Sequence, residues 1–251
     1  MLAGPVLFAK ALARSALSPS VRQFVGRVQR YWYGYGWRLP PQMEPLPAEA
    51  SPELALMHYA WQVAAASEAS SAHVCYYSMD FEGFPLPGER PWQPRWRLLS
   101  QDVCWRGARV LELGCHLGLL GTFALRAGAQ DAVGVDRHSG LLQANQLVQR
   151  AFRISYRTMQ CDFDDPNPWE DELAACRPTI VTALSVLHWV KDRERFLRFL
   201  GRFATVLFEG HDGDAVECRR LEQAGFTNIA FVGRSEPGRS VFLAGKSPCV
   251  I

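Results

Sequence analysis

The sequence ELGCHLGLLG, residues Glu112–Gly121, decides the fold of this chain. It follows the short apolar segment Arg109–Leu111 and opens a run of helical periodicity that continues through Arg126. Glycines after a buried strand let the backbone turn tightly and approach a ligand, and the next helix presents unpaired N–H groups at its start. The pattern therefore predicts a strand, a ligand-binding turn and a helix, as in the opening unit of an α/β domain.

The spacing of the glycines separates two classes of ligand-binding turn. A dinucleotide-binding turn has the pattern G-x-G-x-x-G, which requires glycine at positions 116 and 119 after Gly114. This chain has His116 and Leu119 there, so a nucleotide-dependent oxidoreductase is disfavoured. The observed pattern is E-x-G-x-x-x-G-x-x-G, which resembles the first motif of the class I S-adenosylmethionine (SAM) methyltransferases.

The resemblance continues downstream and covers roughly residues 92–246. The segment Ala132–Asp136 is a short apolar strand that ends in a carboxylate. The resemblance implies that Asp136 binds both ribose hydroxyls of SAM, a role that suits a carboxylate because its two oxygens both accept hydrogen bonds. By the same resemblance, Asp162 contacts the adenine amino group and Phe163 flanks the adenine ring.

The first motif supplies further predicted contacts to the cofactor. The resemblance assigns Glu112, Gly114 and Gly118 to the cofactor-binding turn, with Glu112 supporting it through backbone hydrogen bonds. Leu184, at the end of the fourth predicted strand, is assigned to the same site. His116 stands where many family members have glycine, and two interpretations of its side chain are open: it covers the methionine part of SAM, or it points to solvent.

A proline-rich loop upstream of the first motif is expected to fold over the cofactor. In related bacterial glycan methyltransferases an arginine and a tyrosine from this region contact the methionine part of SAM. Arg90 or Arg95 is therefore a candidate for a bidentate contact to its carboxylate. The alternative is that both are surface arginines.

Two histidines follow the fourth and fifth predicted strands, where ligands bind in open α/β sheets. His188 resembles a histidine of many small-molecule methyltransferases, and its pKa range suits a general base; alternatively, it bonds the backbone at a helix start. His211 is a second candidate base, which Glu209 or Asp212 could orient; alternatively, an aspartate of this loop only caps the next helix. No further histidine lies nearby in sequence, so no metal is expected.

The order of the predicted elements defines the fold class. Strand and helix patterns alternate from Arg109 onward, which predicts a mostly parallel sheet with helices on both faces. A loop without a helix, residues 233–239, joins the last two strands, so they must be antiparallel. The resemblance implies a Rossmann-like, seven-stranded sheet with one antiparallel strand. We predict a helical, basic and aromatic N-terminal extension over residues 1–50, a helix and cofactor-covering loop over 51–100, and a SAM-binding catalytic domain over 101–251.

Basic residues are concentrated at the N-terminus. Residues 1–43 contain six basic residues and no acidic one, whereas the remainder contains 21 basic and 25 acidic residues. The acidic body disfavours a broad nucleic-acid surface. The segment 1–40 is open to two interpretations: a helix that docks on a membrane surface or partner, or a helix that packs on its own domain.

Hydropathy and cysteine usage predict a cytoplasmic protein. No run of 18 apolar residues occurs, so no membrane-spanning helix is expected. The seven cysteines are odd in number and include no C-x-x-C pair, which indicates neither a zinc site nor a disulfide framework. Under the membrane interpretation of the N-terminus, the protein contacts the inner face of the membrane.

The resemblance implies that the chain transfers a methyl group from SAM to oxygen or nitrogen of a small-molecule or glycan acceptor. Arg90–Trp92 and the hairpin at residues 238–243 are similar to enzymes that modify bacterial surface polysaccharides. One alternative is a tRNA-modifying SAM enzyme, which the acidic body disfavours. The other is a non-catalytic assembly or scaffold protein of the same fold, against which the intact Gly114, Gly118 and Asp136 argue.

Overall fold

A computed structural model describes residues 43–67, 75–236 and 238–246. Residues 1–42, which carry most of the predicted basic and aromatic extension, lie outside this part, so both interpretations of that segment stay predictions. The helices are α1 (Pro52–Ser67), α2 (Trp92–Gln101), α3 (Leu119–Arg126), α4 (Ser139–Ala151), α5 (Glu170–Ala174), α6 (Arg193–Leu200) and α7 (Asp214–Gln223), with a 3-10 turn at Leu187–Trp189. The strands are β1 (Cys75–Phe81), β2 (Phe84–Leu86), β3 (Gly88–Pro91), β4 (Arg109–Leu113), β5 (Asp131–Asp136), β6 (Arg157–Gln160), β7 (Ile180–Leu184), β8 (Thr205–Glu209), β9 (Asn228–Ser235) and β10 (Arg239–Gly245).

The strands form a small sheet and a large one. The small sheet has the order β2-β1-β3, and the large sheet has the order β6-β5-β4-β7-β8-β10-β9. Strands β4 to β8 pair in parallel, while β10 is antiparallel to both β8 and β9. This confirms the predicted seven-stranded, mostly parallel sheet with one antiparallel strand. Because β5 and β7 flank β4, the strand order reverses at β4, and ligands bind at the carboxyl ends of strands around such a point.

Two hydrophobic clusters cover the opposite faces of the large sheet. Successive residues of a strand point to opposite faces, and the neighbours Val110 and Leu111 of β4 belong to different clusters. Helices α1 to α4 contribute to the first cluster, and α5 to α7 contribute to the second. The prediction of helices on both faces is therefore confirmed.

The region upstream of β4 is attached to the large sheet by its own helix and strand. Helix α1 is capped by Ser51, whose hydroxyl accepts a hydrogen bond from the Leu54 N–H at 2.9 Å. The indole Nε1 of Trp61 donates to the Tyr77 carbonyl at 2.9 Å and joins α1 to β1, and α1 also packs against α4. Buried residues of 51–100 and 101–251 share one cluster; the division into three regions stays a prediction.

The proline-rich loop predicted upstream of the first motif is more regular than its prolines suggest. Residues 83–92 contain β2 and β3, and helix α2 follows directly. Pro94 is compatible with this helix because it lies in the first turn, where its missing N–H has no helical partner. None of the described helices combines the length and apolar character needed to cross a bilayer.

Candidate active site

The glycine-rich turn after β4 folds onto the end of β5. The amides of Gly114 and Cys115 both donate to the Val135 carbonyl at 2.8 Å, and the His116 N–H donates to Oδ2 of Asp136 at 2.9 Å. Gly114 and His116 have positive φ angles of 74° and 52°, which is uncommon for a residue other than glycine. The turn therefore brings the predicted cofactor residues of both strands into direct contact.

Asp136 retains hydrogen-bonding capacity for a ligand. Its Oδ1 accepts the His138 N–H at 3.0 Å, and its Oδ2 accepts the His116 N–H. A carboxylate has about four lone-pair positions, so two backbone donors leave about two acceptor positions. These acceptor positions fit the two hydroxyl donors of a vicinal diol such as the ribose of SAM.

Glu112 supports the turn from inside the protein. Its Oε2 accepts the Gly121 N–H at 3.0 Å, at the start of α3. Burial raises the pKa of Glu112 to about 8, although the Gly121 hydrogen bond opposes the change. The side chain is only 6% exposed, which agrees with the predicted supporting role.

Position 118 needs a glycine because buried side chains pack closely against it beneath the turn. Its φ angle is +65°, and a Cβ atom there would lie 2.0 Å from the hydroxyl of Tyr156 and 2.2 Å from Nδ2 of Asn145. The Tyr156 hydroxyl donates to the Gly118 carbonyl at 2.8 Å. The predicted contact between Gly118 and the cofactor stays a prediction, but this packing alone excludes a side chain.

The remaining predicted cofactor residues occupy different environments. The His116 ring packs on Tyr77 and Tyr76, with centroid distances of 5.4 and 5.6 Å, so it does not simply point to solvent. Asp162 is exposed, and its Oδ1 accepts the Asp164 N–H at 3.0 Å.

Two further cofactor assignments fall on buried or half-buried apolar residues. Phe163 is buried in the core, with ring centroids 5.1 Å from both Trp169 and Phe196, and Leu184 is half-buried at the end of β7. Their contacts to adenine and cofactor stay predictions.

A group of polar residues, Ser185, His188, Glu209, His211 and Arg239, lies at the carboxyl ends of β7 and β8, and we call it the strand-end cluster. Ser185 follows β7, and Glu209 ends β8. Because β10 is antiparallel, its first residue lies at this same edge, and Val241 pairs with Glu209. The guanidinium Nη1 of Arg239 donates to the Ser185 hydroxyl at 2.8 Å.

The two candidate bases contact each other. The ring centroids of His188 and His211 are 3.6 Å apart, with an angle of 39° between the ring planes. Burial, and then the charge of Arg239, lower the pKa of His188 to about 4 and that of His211 to about 3. Both imidazoles are therefore neutral at pH 7, and within the described chain neither ring nitrogen of His211 has a hydrogen-bond partner.

The acids proposed to orient His211 are engaged elsewhere. Glu209 is fully buried and forms two hydrogen bonds with Arg95, one of them from Nη1 to Oε1 at 3.2 Å, and it also accepts the Ser235 hydroxyl. Asp212 accepts a hydrogen bond from Arg220 at 2.5 Å. The expectation that either acid orients His211 is wrong, because each is neutralised by an arginine instead.

The upstream arginines are buried, so the surface interpretation is wrong for both. Arg90 is 7% exposed and Arg95 is 4% exposed. Arg95 is occupied by Glu209, whereas the Arg90 guanidinium lies over the Tyr76 ring at 4.8 Å and donates to the Glu236 carbonyl at 2.7 Å. Arg90 thus remains the better candidate for the carboxylate of SAM.

Three residues at this edge were missed by sequence reasoning: Ser185, Trp189 and Arg239. An available signal was the predicted antiparallel last strand, since its first residue must lie beside the carboxyl ends of its neighbours. Ser185 has a φ angle of +60°, and such backbone strain in a non-glycine residue is concentrated at functional sites. No group of three or more His, Cys, Asp or Glu side chains in the described ranges is arranged to hold a metal ion.

Acid is expected to destabilise the protein through its two neutral histidines. The folded-state pKa values of His188 and His211, about 4 and about 3, lie below the ordinary value of 6.5. At pH values between the folded-state pKa and 6.5, the unfolded chain binds more protons than the folded chain. The free energy of unfolding therefore decreases as the pH falls from 6.5. For His188 the full loss is at most roughly 3.5 kcal/mol, because its pKa falls from 6.5 to about 4 and one pKa unit corresponds to about 1.4 kcal/mol.

Urea unfolding at several pH values between 7 and 4.5 tests this expectation. The double variant His188→Gln/His211→Gln should lose less stability on acidification than the wild type, because glutamine does not titrate. His58→Gln, on α1, serves as the matched control and should retain the wild-type slope. An unchanged slope in the double variant would contradict the assignment.

Comparisons with known proteins concern the fold. No protein-family profile matches the chain, and no curated protein sequence matches it. The crystal structure of EvdMO1 is similar with a TM-score of 0.54 at 20% identity, over 79% of this chain and 49% of that one. The N-terminal domain of EvdMO1 with SAH bound has a TM-score of 0.55 at 16% identity, over 80% of this chain and 100% of that one.

A third similar structure is an O-methyltransferase family protein from Burkholderia thailandensis. Its TM-score is 0.52 at 12% identity, over 62% of this chain and 56% of that one. This chain thus spans about half the length of EvdMO1 and matches its N-terminal domain along that domain's whole length. Sheet order, glycine-rich turn and structural similarity agree, and the chain has the fold of the class I SAM-dependent methyltransferases.

Proposed function

We propose that this chain is a SAM-dependent methyltransferase that methylates oxygen or nitrogen of a small-molecule or glycan acceptor. The observation that carries the proposal is the placement of a cofactor-type turn beside two neutral imidazoles. The turn contacts Asp136 through the His116 N–H, and His188 and His211 follow the next two strands at the same sheet edge. The turn and the candidate bases thus lie at the same carboxyl edge of the sheet, and this common placement supports the proposal.

Each residue at this edge has a separate role in the proposed reaction. Asp136 is suited to bind the ribose, Glu112 holds the turn, and Arg90 is suited to bind the carboxylate. SAM, when bound, supplies a methyl group on a positively charged sulfur. As the acceptor atom bonds to the methyl carbon, the carbon–sulfur bond breaks and the sulfur keeps its electrons. A neutral imidazole accepts the acceptor's proton at its one unprotonated ring nitrogen, and no hydrogen bond within the described chain occupies either ring nitrogen of His211.

Removing the carboxylate of Asp136 is expected to weaken SAM binding more than about tenfold, because a charge-assisted contact to the ribose is lost. The matched control is Asp131→Ala, which removes the carboxylate at the opposite end of the same strand, β5, and should leave the affinity unchanged. Calorimetric titration measures both affinities, and thermal unfolding checks that Asp136→Ala folds although two backbone hydrogen bonds are lost. An unchanged affinity would remove the ribose assignment.

Titration of the wild-type protein with SAM, S-adenosylhomocysteine and NAD tests the proposal as a whole. We expect micromolar binding of the first two ligands and none of NAD. A folded protein that binds no SAM would favour a non-catalytic scaffold of this fold. The tRNA alternative stays an open prediction. Membrane contact through residues 1–40 also stays a prediction, because these residues lie outside the described part of the chain.

A further inference from the structure

The charges around the strand-end cluster do not balance. Three guanidinium groups, those of Arg90, Arg95 and Arg239, surround one carboxylate, that of Glu209. Arg95 occupies both oxygens of Glu209, while Arg90 lies 3.7 Å from one of them. Glu209 can neutralise only one of these cations, so this group of four side chains carries an excess of positive charge.

Arg239 is the cation with the fewest compensating contacts. In the described part of the chain its guanidinium donates one hydrogen bond, to the neutral hydroxyl of Ser185, and no carboxylate there lies within 4.0 Å of it. Arg239 is half-buried, and burial followed by the charge of Arg90 lowers its pKa. A cation withdrawn from water without a counter-charge is unfavourable, and a bound anion would relieve that cost.

The surroundings of Arg239 are suited to such an anion. The guanidinium of Arg239 bonds Ser185, three residues before His188, and the pairing of Ser240 with Gly210 brings Arg239 to the strand end that His211 follows. The charge of Arg239 accordingly lowers the pKa of both histidines. Neutral imidazoles can donate hydrogen bonds as well as accept them. A planar guanidinium pairs with carboxylate or phosphate through two parallel hydrogen bonds.

An exposed tryptophan lies next to these groups. The Trp189 ring centroid is 4.4 Å from that of His188, and the side chain is 61% exposed. Within the described ranges, only Tyr59 and Phe231 are comparably exposed large apolar side chains. The face of an indole is electron-rich, so it attracts the C–H groups on one face of a sugar ring.

We propose that the methyl acceptor is an acidic sugar unit, whose oxyanion pairs with Arg239 and whose ring stacks on Trp189. This inference rests on the proposed methyltransferase function and specifies its substrate class. The shared chemistry is an oxyanion on a sugar, and its two sources are a uronate carboxylate and a sugar phosphate. Placement favours the acceptor as the bound anion, because the register brings Arg239 beside His211, beyond the end of β8.

Binding of small sugars to the full chain tests the proposal. Glucuronic acid, glucose 6-phosphate and glucose are titrated into the wild type, with and without SAM, and followed by NMR of the histidine side chains. We expect one or both acidic sugars to bind at least about tenfold more tightly than glucose. A bound oxyanion should also raise the pKa of His188 and His211 from about 4 and about 3, an effect that glucose should not produce.

Variants locate the binding group. Arg239→Gln should remove the preference for acidic sugars and leave SAM affinity unchanged. The matched control is Arg234→Gln on the same hairpin, whose arginine pairs with Asp214 at 2.8 Å, and it should retain the preference. Trp189→Ala should weaken binding of all three sugars. If Arg239→Gln folds poorly, Arg239→Lys replaces it in the test: it retains the charge and should keep part of the preference for acidic sugars.

Each outcome separates this inference from the function on which it rests. Equal binding of glucose and both acidic sugars would overturn the inference, even if SAM binds. A loss of SAM affinity in Arg239→Gln, with no change for sugars, would overturn it too and assign Arg239 to the cofactor carboxylate. Selective binding of acidic sugars by a wild type that does not bind SAM would instead refute the methyltransferase proposal and leave the anion site in place.

Discussion

Replacing Glu209 by glutamine is expected to lower the free energy of unfolding by about 3–5 kcal/mol, the usual cost of breaking a buried ion pair from one side. Glu209 is fully buried and receives hydrogen bonds from Arg95 and Ser235. The neutral amide leaves the buried Arg95 guanidinium without a counter-charge. The carboxylate also lies 3.7 Å from Arg90, so the variant increases the positive charge of the whole site.

Urea unfolding at pH 7 measures this effect, and two further variants control it. Glu53→Gln breaks an ion pair with Arg153, whose side chain is 81% exposed, and should change stability little because water screens such pairs. The double variant Arg95→Met/Glu209→Leu removes both buried charges and should be much less destabilised than Glu209→Gln. If Glu209→Gln unfolds at the wild-type urea concentration, the pair does not stabilise the fold.

The large sheet was predictable because its central strands, β4, β5, β7 and β8, are buried on both faces. Such strands appear as continuous apolar segments that alternate with helical periodicity. The short loop at residues 233–239 likewise predicts that β9 and β10 are antiparallel, and the structure confirms it. These features depend on neighbouring residues, so the local pattern contains them.

The segment upstream of β4 was predicted less well, because proline is compatible both with a loop and with an edge strand or the first turn of a helix. Pro85 lies on β2, an edge strand of the small sheet, and an edge strand tolerates the missing N–H. Pro91 ends β3 and Pro94 lies in the first turn of α2. From sequence alone the same prolines indicate a loop, and only tertiary pairing with β1 distinguishes the alternatives.

The positions of the site residues were predicted better than their hydrogen-bond partners. The positions of Asp136, His188 and His211 follow from where the strands end. The partner of Glu209, however, is Arg95, 114 residues earlier in the chain. No local pattern encodes such a pair, so Glu209 was assigned to orient a histidine although it neutralises an arginine.

Removing the candidate bases is expected to give the largest loss of activity. His188→Gln/His211→Gln should lower the rate of methyl transfer about 10²–10⁴-fold, the usual contribution of a positioned general base. SAM affinity should stay unchanged, because the cofactor contacts assigned to Asp136 and Glu112 are intact. Of the single variants, His211→Gln should lose more, since both of its ring nitrogens lack a partner in the described chain.

Single-turnover transfer from radiolabelled SAM to an acceptor found among the acidic sugars measures this loss, and calorimetry measures the affinity for SAM. His58→Gln is the matched control: its ring contacts Phe84 on β2, and it should transfer at the wild-type rate. Full activity in the double variant would show that neither histidine is the base. A rate that recovers as the pH rises would point to another base, because two imidazoles with pKa values of about 4 and about 3 are already deprotonated at pH 7.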